Sequence, residues 1–162
     1  MTDRGPSNAL ANGQGREFLS IRISEQAFAL DIMSVREIRG WVASTDLPHA
    51  PPYIKGMINL RGAVIAILDL AERLGLGARE PDASSVVVVI EAADRVVGLL
   101  VDAVCDIITV TDESVQQTPD VGSDHARDFI EGLVTIDGGI VSIVSIAAVM
   151  PQAFLIPAAL AA

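Results

Sequence analysis

The chain has 162 residues, of which 51% are hydrophobic, 20% are charged and 4% are aromatic. This apolar content excludes disorder over most of the length, and the size allows one domain or two small domains that share a core. The net charge of −10 disfavours nucleic acid and anionic membrane surfaces as partners. Binding to phosphate requires Lys and Arg, and the chain has only eleven of them.

Three features of the sequence indicate a cytosolic protein. Cys105 is the single cysteine, so an intramolecular disulfide and a cysteine metal cage are both impossible. Residues 1–15 are polar and lack the apolar segment of a signal peptide, so we expect a disordered tail. No run approaches the roughly 18 apolar residues of a membrane-spanning helix, and we therefore expect no direct membrane insertion.

The first half of the chain predicts short strands separated by turns. They lie over residues 16–23, 27–32 and 35–39, and on both sides of a turn at 59–62. Three prolines make 47–52 a loop, because proline removes a backbone donor and fixes φ. Residues 68–74 are compatible with a short helix that ends at Gly75.

The second half has a similar pattern after a polar linker at 79–85. Residues 86–90 are four valines and an isoleucine, which is typical of a strand buried on both faces. Further strands follow, with a proline-containing loop around Pro119. Asp137-Gly138 between apolar runs predicts a tight hairpin. The domain is expected to end near residue 151, with 152–162 as a C-terminal tail.

The two halves form an internal repeat. Residues 53–70 align without a gap with 129–146, at an offset of 76, and 29–38 align with 98–107 at an offset of 69. The first block contains the identical pairs Ile54/Ile130, Gly56/Gly132, Gly62/Gly138 and Ile67/Ile143. The second block pairs Val35 with Val104 and Glu37 with Asp106. Matched glycines and hairpin turns are strong evidence of a repeat in a chain this apolar.

Each half therefore contains about five short strands, too few to form a stable sheet alone. Closing each set into a small barrel and packing the barrels together removes the exposed edges and enlarges the core. We predict an all-β fold of two tandem five-stranded barrels with a shared hydrophobic core and short helical segments. The first barrel is expected at about 16–78 and the second at about 84–146.

Residues with catalytic or metal-binding chemistry are scarce. His49 and His125 have no Cys, Asp or Glu at metal-ligand spacing, and no motif of a hydrolase, metalloprotease or phosphate-binding loop occurs. Cys105 has no Lys, Arg or His near it in sequence that would activate its thiol. Turn and edge positions explain the carboxylates Asp94, Asp102 and Asp106. We expect no enzyme activity, no metal and no cofactor.

One position breaks the repeat. Arg61 occupies the hairpin position that Asp137 occupies in the second half, with Lys55 near it in sequence. Arg61 could be a solvated turn residue, or its guanidinium could donate to carbonyls or carboxylates that bridge the two barrels or belong to a partner. The residues alone favour neither reading.

Several motifs together resemble the CheW family over about residues 16–151. The chain reads DIMSVREIRG at 31–40, LPHAPPYIKGMINLRGAVIAILDL at 47–70, VGLLVDAV at 97–104 and FIEGL at 129–133. The family pattern is an extended V-x-E-I, a proline loop, F-I-K-G-x-I-N-L-R-G and V-x-P-I-x-D-L. The same fold forms the regulatory domain of the histidine kinase CheA and part of CheV, so the resemblance implies a stand-alone CheW-like adaptor.

The resemblance implies two SH3-like barrels that link chemoreceptors to a kinase without catalysis. Its partners would be the cytoplasmic tip of methyl-accepting chemotaxis proteins and the regulatory domain of a CheA-type kinase, in the cytoplasm at receptor arrays. The family's receptor contacts map onto Val35, Glu37, Gly56, Arg61, Gly62, Val86, Gly98 and Val104. Its kinase contacts map onto Gln116, Pro119, Asp120 and Val121. Gln116, Val121 and Ala66 stand where the family often has a basic residue, an aromatic residue and a proline.

Three other functions compete with this one. An adaptor of another chemosensory pathway, such as one controlling pili, would use the same surfaces. A small β-barrel that binds nucleic acid is disfavoured by the charge and by the few aromatic residues. An enzyme with an unfamiliar site is disfavoured by the absence of catalytic motifs.

Overall fold

The computed structural model describes residues 15–78, 80–117 and 128–150, together with the backbone of 156–157. The strands are β1 (Arg16–Ile23), β2 (Gln26–Asp31), β3 (Val35–Gly40), β4 (Ile54–Leu60), β5 (Ala63–Asp69), β6 (Val86–Ala92), β7 (Arg95–Val101), β8 (Ala103–Val110), β9 (Ile130–Ile136), β10 (Gly139–Val144) and β11 (Ile156–Pro157). The helical elements are the 3₁₀ turns Ile32–Ser34 and Asp112–Ser114 and the one-turn helices α1 (Leu70–Arg73) and α2 (Ile146–Val149).

The strands form two sheets, and in each sheet five strands follow one another in hydrogen-bonded order. Sheet 1 has the order β8-β1-β2-β10-β9, and sheet 2 has the order β3-β6-β7-β5-β4, with β11 beside β7. The β-rich fold with two five-stranded sheets and short helices is therefore confirmed.

The sheets do not coincide with the two halves of the chain. Sheet 1 combines β1 and β2 with β8–β10, and sheet 2 contains β3–β7, so the predicted barrels at 16–78 and 84–146 differ from the observed sheets. The connections explain this difference. Only Asp102 separates β7 from β8, and only one 3₁₀ turn separates β2 from β3. A single residue cannot close a hairpin, so the chain passes into the other sheet at Asp102, and it also changes sheet at the 3₁₀ turn after β2.

The internal repeat is nevertheless visible as a structural equivalence. Strands β1–β5 and helix α1 correspond in order to β6–β10 and α2, and each sheet takes two strands from one half and three from the other. The equivalent hairpin turns have the same backbone conformation. Arg61 and Asp137 have φ of 52° and 53°, and Gly62 and Gly138 have φ of 89° and 82°. Positive φ at both central residues is typical of a two-residue hairpin turn.

Three apolar clusters account for the burial of the strands. One lies in sheet 1, one lies in sheet 2, and the largest contains residues of both sheets. Strand β6 contributes to two of them, because Val87 and Val89 face the sheet 2 cluster while Val88 and Ile90 face the shared one. The alternation of side chains along a strand thus explains why the whole run is buried. The shared core predicted from the sequence is present.

Candidate partner-binding surface

An ion pair connects the two edge strands of sheet 2. It joins β3 to the turn that follows β4. Arg61, in the β4–β5 turn, donates from Nη1 to Oε1 of Glu37 on β3 at 3.1 Å, and its Nη2 lies 3.1 Å from Oε2. We call this region, defined by Glu37, Arg61 and Gly62, the seam of sheet 2. The Arg61 side chain is 55% exposed, so the pair is accessible to a partner.

The seam stabilises the charged form of its carboxylate. The pKa of Glu37 lies below its ordinary value of 4.5, chiefly because Arg61 donates a hydrogen bond to it. Partial burial raises this pKa, and the positive charges of Arg61, Arg39 and Arg36 lower it. The same hydrogen bond raises the pKa of Arg61. Within the described ranges, the buried Oε2 of Glu37 has ion-pair contacts with Arg61 and Arg39 but no well-aligned hydrogen bond, and the buried Nε of Arg39 has no hydrogen-bond partner.

Sheet 1 has no equivalent of this ion pair. The repeat places Asp106 at the position of Glu37 and Asp137 at the position of Arg61, so both equivalent residues are acids. Arg61 therefore departs from the repeat because it faces a carboxylate within its own sheet. This contact does not support the alternative in which Arg61 bridges the two barrels.

Lys55, although close to Arg61 in sequence, pairs elsewhere. Its Nζ lies 3.7 Å from Oδ2 of Asp69, whose side chain is fully buried. Oδ1 of Asp69 also accepts the backbone N–H of Glu72 and so caps α1. A buried carboxylate needs such partners. Lys55 therefore stabilises the carboxylate that caps α1.

The other residues predicted to contact a receptor fall into two groups. Val35, Val86 and Val104 are half-buried and pack against the rim of the shared core. Gly56 and Gly98 are buried.

The two buried glycines allow close packing. A Cβ at Gly56, where φ is 150°, would lie 2.6 Å from Oγ of Ser44. A Cβ at Gly98 would lie 2.7 Å from Cδ1 of Ile67 and 2.8 Å from Cγ1 of Val87. Both glycines therefore shape the sheet that carries the seam and offer little surface to a partner.

The predicted kinase-binding residues are only partly visible. Gln116 is exposed, and its backbone exchanges two hydrogen bonds with Leu133 on β9, each 2.8 Å long. This bridge holds Gln116 beside β9 of sheet 1. Pro119, Asp120 and Val121 lie outside the described residues.

Exposed apolar side chains at equivalent positions of the two halves were not predicted from the sequence. Ile38 and Ile107 are 48% and 58% exposed, and Val64 and Ile140 are 44% and 65% exposed. The offsets of 69 and 76 relate the two members of each pair, so the repeat was the signal that could have identified them.

Features of other functional classes were also sought in the described part of the chain. There, no group of three or more His, Cys, Asp or Glu side chains could hold a metal ion. No helix in these ranges is long and apolar enough to span a bilayer.

Comparison with known proteins identifies the family. The model of the CheW-like domain matches residues 17–154. The chain belongs to the CheW family. It is 50% identical over 143 residues to the chemotaxis protein CheW of Rhizobium meliloti (strain 1021), covering 88% of this chain and 92% of the relative. It is 34% identical to the chemotaxis protein CheW of Klebsiella aerogenes, covering 74% and 72% of the two chains.

A solved CheW structure has the same fold. The crystal structure of the scaffolding protein TtCheW from Thermoanaerobacter tengcongensis matches with a TM-score of 0.79 and 29% identity, over 87% of this chain and 99% of that one. These similarities support a chemotaxis coupling adaptor of a scaffold family, as the motifs implied. They favour this function over a nucleic-acid binder and over an enzyme.

Proposed function

We propose that this CheW-family protein links the cytoplasmic tip of methyl-accepting chemotaxis proteins to the regulatory domain of a CheA-type histidine kinase. It acts in the cytoplasm, where it is recruited to receptor arrays. Membership of the CheW family supports this assignment, and the seam of sheet 2 supports a specific place for the receptor.

We assign the receptor contact to the seam of sheet 2. The guanidinium of Arg61 has five donors in a fixed plane, and among the described residues only Glu37 accepts a hydrogen bond from it. The remaining donors on this exposed side chain suit carbonyl or carboxylate acceptors at the tip of a receptor helix. Ile38 and Val64, close to the seam in sequence, supply exposed apolar surface.

The test removes the positive charge of Arg61 without disturbing the β4–β5 turn. Asn adopts positive φ readily and is favoured before Gly in this hairpin turn, so Arg61→Asn removes the guanidinium and keeps the backbone. Asp137→Asn creates the same Asn-Gly turn in sheet 1, where it removes a negative charge, and is the control. Binding of a receptor-tip peptide or fragment is measured by calorimetry for both variants, beside their urea unfolding curves.

We expect Arg61→Asn to weaken receptor binding about tenfold or more, equivalent to about 1.4 kcal/mol. Its unfolding free energy should stay within about 1 kcal/mol of the wild type, because exposed ion pairs contribute little to stability. Asp137→Asn should bind normally. Wild-type affinity in a folded Arg61→Asn variant would show that the receptor does not bind at the seam.

We assign the kinase contact to the segment that contains Gln116, Pro119, Asp120 and Val121. The family resemblance supports this position, and the exposed Gln116 beside β9 is compatible with it. Val121→Asp should weaken binding to the kinase regulatory domain, because a charge would lose water in an apolar contact. Thr45→Asp is the control. Thr45 forms the bridge on sheet 2 that is equivalent to the bridge of Gln116 on sheet 1, so the variant adds the same charge beside the other sheet. Unchanged kinase affinity of the folded Val121 variant would place the interface elsewhere.

A further inference from the structure

The side chain of Arg73 lies between the two sheets. Its Cζ is 4.3 Å from the ring centroid of Tyr53 and 4.9 Å from that of Phe129. Tyr53 precedes β4 of sheet 2, and Phe129 precedes β9 of sheet 1. A guanidinium over an aromatic face is attracted by the negative charge of the ring face. Arg73 thus contacts one aromatic residue from each sheet.

The same guanidinium also binds the end of α2. Nε donates to the carbonyl of Val149 at 3.2 Å, and Nη2 donates to the carbonyl of Ala148 at 3.4 Å. Arg73 belongs to α1, which follows β5 of sheet 2, and α2 follows β10 of sheet 1. These hydrogen bonds therefore also connect the two sheets.

The repeat explains the position of this side chain. At the offset of 76, Phe129 is the equivalent of Tyr53, and Val149 is the equivalent of Arg73 itself. A residue that contacts its own equivalent, and both members of another equivalent pair, lies close to the axis that relates the halves. One guanidinium contacts both halves there, and its equivalent in the second half, Val149, is fully buried.

We propose that Arg73 fixes the angle between the two sheets and thereby positions the surface presented to a partner that contacts both. The hydrophobic effect that buries the shared core is not directional, so a directional contact can select among the packed arrangements. A planar guanidinium with donors in fixed directions, stacked on two rings, is directional. The consequence for partner binding rests on the proposed function, whereas the consequence for the angle does not.

The test measures the angle in the free protein. Residual dipolar couplings of backbone amides in each sheet give one alignment tensor per sheet, and the wild type should fit a single common tensor. Arg73→Met retains an unbranched apolar stem of similar length. It removes the guanidinium, and with it the stacking on the rings and both hydrogen bonds. The control is Arg16→Met. Arg16 lies over Phe18 at 4.8 Å and pairs with Asp31 at 3.1 Å, with all three residues in sheet 1.

We expect the two tensors to diverge in Arg73→Met and to remain common in Arg16→Met. A folded Arg73→Met variant with one common tensor would overturn the proposal. If Arg73→Met does not fold, Arg73→Lys is measured instead, because Lys keeps the charge without the planar donors. Divergence in Arg73→Lys supports the proposal, and a common tensor overturns it.

Receptor-tip binding gives a second readout. Variants with diverging tensors should bind the receptor tip roughly fivefold more weakly, the size of a modest coupling between distant groups. Normal binding with diverging tensors would overturn the positioning role while leaving the angle assignment intact. If the wild type did not bind the receptor tip, the proposed function would fail, and the tensor comparison would still decide the role of Arg73.

Discussion

At the scale of single residues, the chemistry of the protein depends on what faces each side chain. Arg61 and Asp137 occupy turns of the same backbone conformation, yet their charges are opposite and Arg61 faces the carboxylate of Glu37. The sequence predicted that position 61 was special from its departure from the repeat. It left open whether the partner of Arg61 was solvent, the other barrel or another protein. The contact with Glu37 became known only from the structure.

Arg61→Lys should not restore what the arginine does. A lysine ammonium is a point charge on a flexible stem, so it cannot reach both carboxylate oxygens of Glu37 as the guanidinium does. We expect receptor affinity close to that of Arg61→Asn and an unfolding free energy within about 1 kcal/mol of the wild type. Calorimetry and urea unfolding measure the two quantities. Full affinity in the lysine variant would mean that charge alone is sufficient.

The Glu37 ion pair should weaken in acid. Because the pKa of Glu37 is lowered in the folded protein, the ion pair contributes fully to stability above the ordinary pKa of 4.5. That contribution is lost as the pH falls through the lowered folded value. The difference in unfolding free energy between the wild type and Glu37→Gln should therefore shrink over this range. An NMR titration of the Glu37 carboxyl checks the direction, and Arg61→Met should move its pKa back upward. An unchanged pKa in Arg61→Met would contradict the stated cause.

At the scale of strands, the glycines decide how closely the elements of sheet 2 approach one another. Gly98 on β7 lies opposite Val89 on β6 and Ile67 on β5, and it faces the interior of the sheet. The sequence identified Gly98 through the family resemblance, as a receptor contact. Because Gly98 is buried, we expect a substitution there to act through packing.

Gly98→Ala should destabilise the protein by about 1–3 kcal/mol, because the added methyl group would overpack a filled core. Gly40→Ala is the control, since a Cβ there meets no atom within 4 Å. Urea unfolding measures both variants, and receptor binding is assayed where the protein is still folded. If a Gly98→Ala variant had wild-type stability and bound the receptor weakly, that result would support a direct contact between Gly98 and the receptor.

At the scale of the whole molecule, the exchange of strands makes each half depend on the other. The parallel pairs β2–β10 and β5–β7 both join strands from different halves of the chain. The largest apolar cluster also contains residues of both sheets. Neither half can complete a sheet alone.

A fragment of residues 16–78 should therefore be unfolded. It contains β1–β5, but its first two strands and its last three belong to different sheets. Circular dichroism and amide NMR should show a disordered chain, and adding a fragment of residues 79–162 should restore the native spectrum by association. Independent folding of 16–78 would show that the halves are autonomous barrels. The intact chain is the reference.

The sequence by itself determined the class of the fold, the five strands of each half and the repeat, but it did not predict β11, which lies within the expected C-terminal tail. The features that it determined follow from local patterns, because alternation along a strand, turn chemistry and burial of an apolar run depend on near neighbours in the chain. The motifs at 31–70 and 97–104 were also sufficient to predict the family, which the comparisons confirmed.

Only the tertiary structure decided which strands pair and which side chains meet. The single residue between β7 and β8 sends the chain into the other sheet, and composition carries no signal of that crossing. The same holds for Arg61 with Glu37, 24 residues apart, and for Arg73 with Val149, 76 residues apart. These contacts join groups distant in sequence, and they exist only because packing of the two sheets brings them within hydrogen-bonding distance.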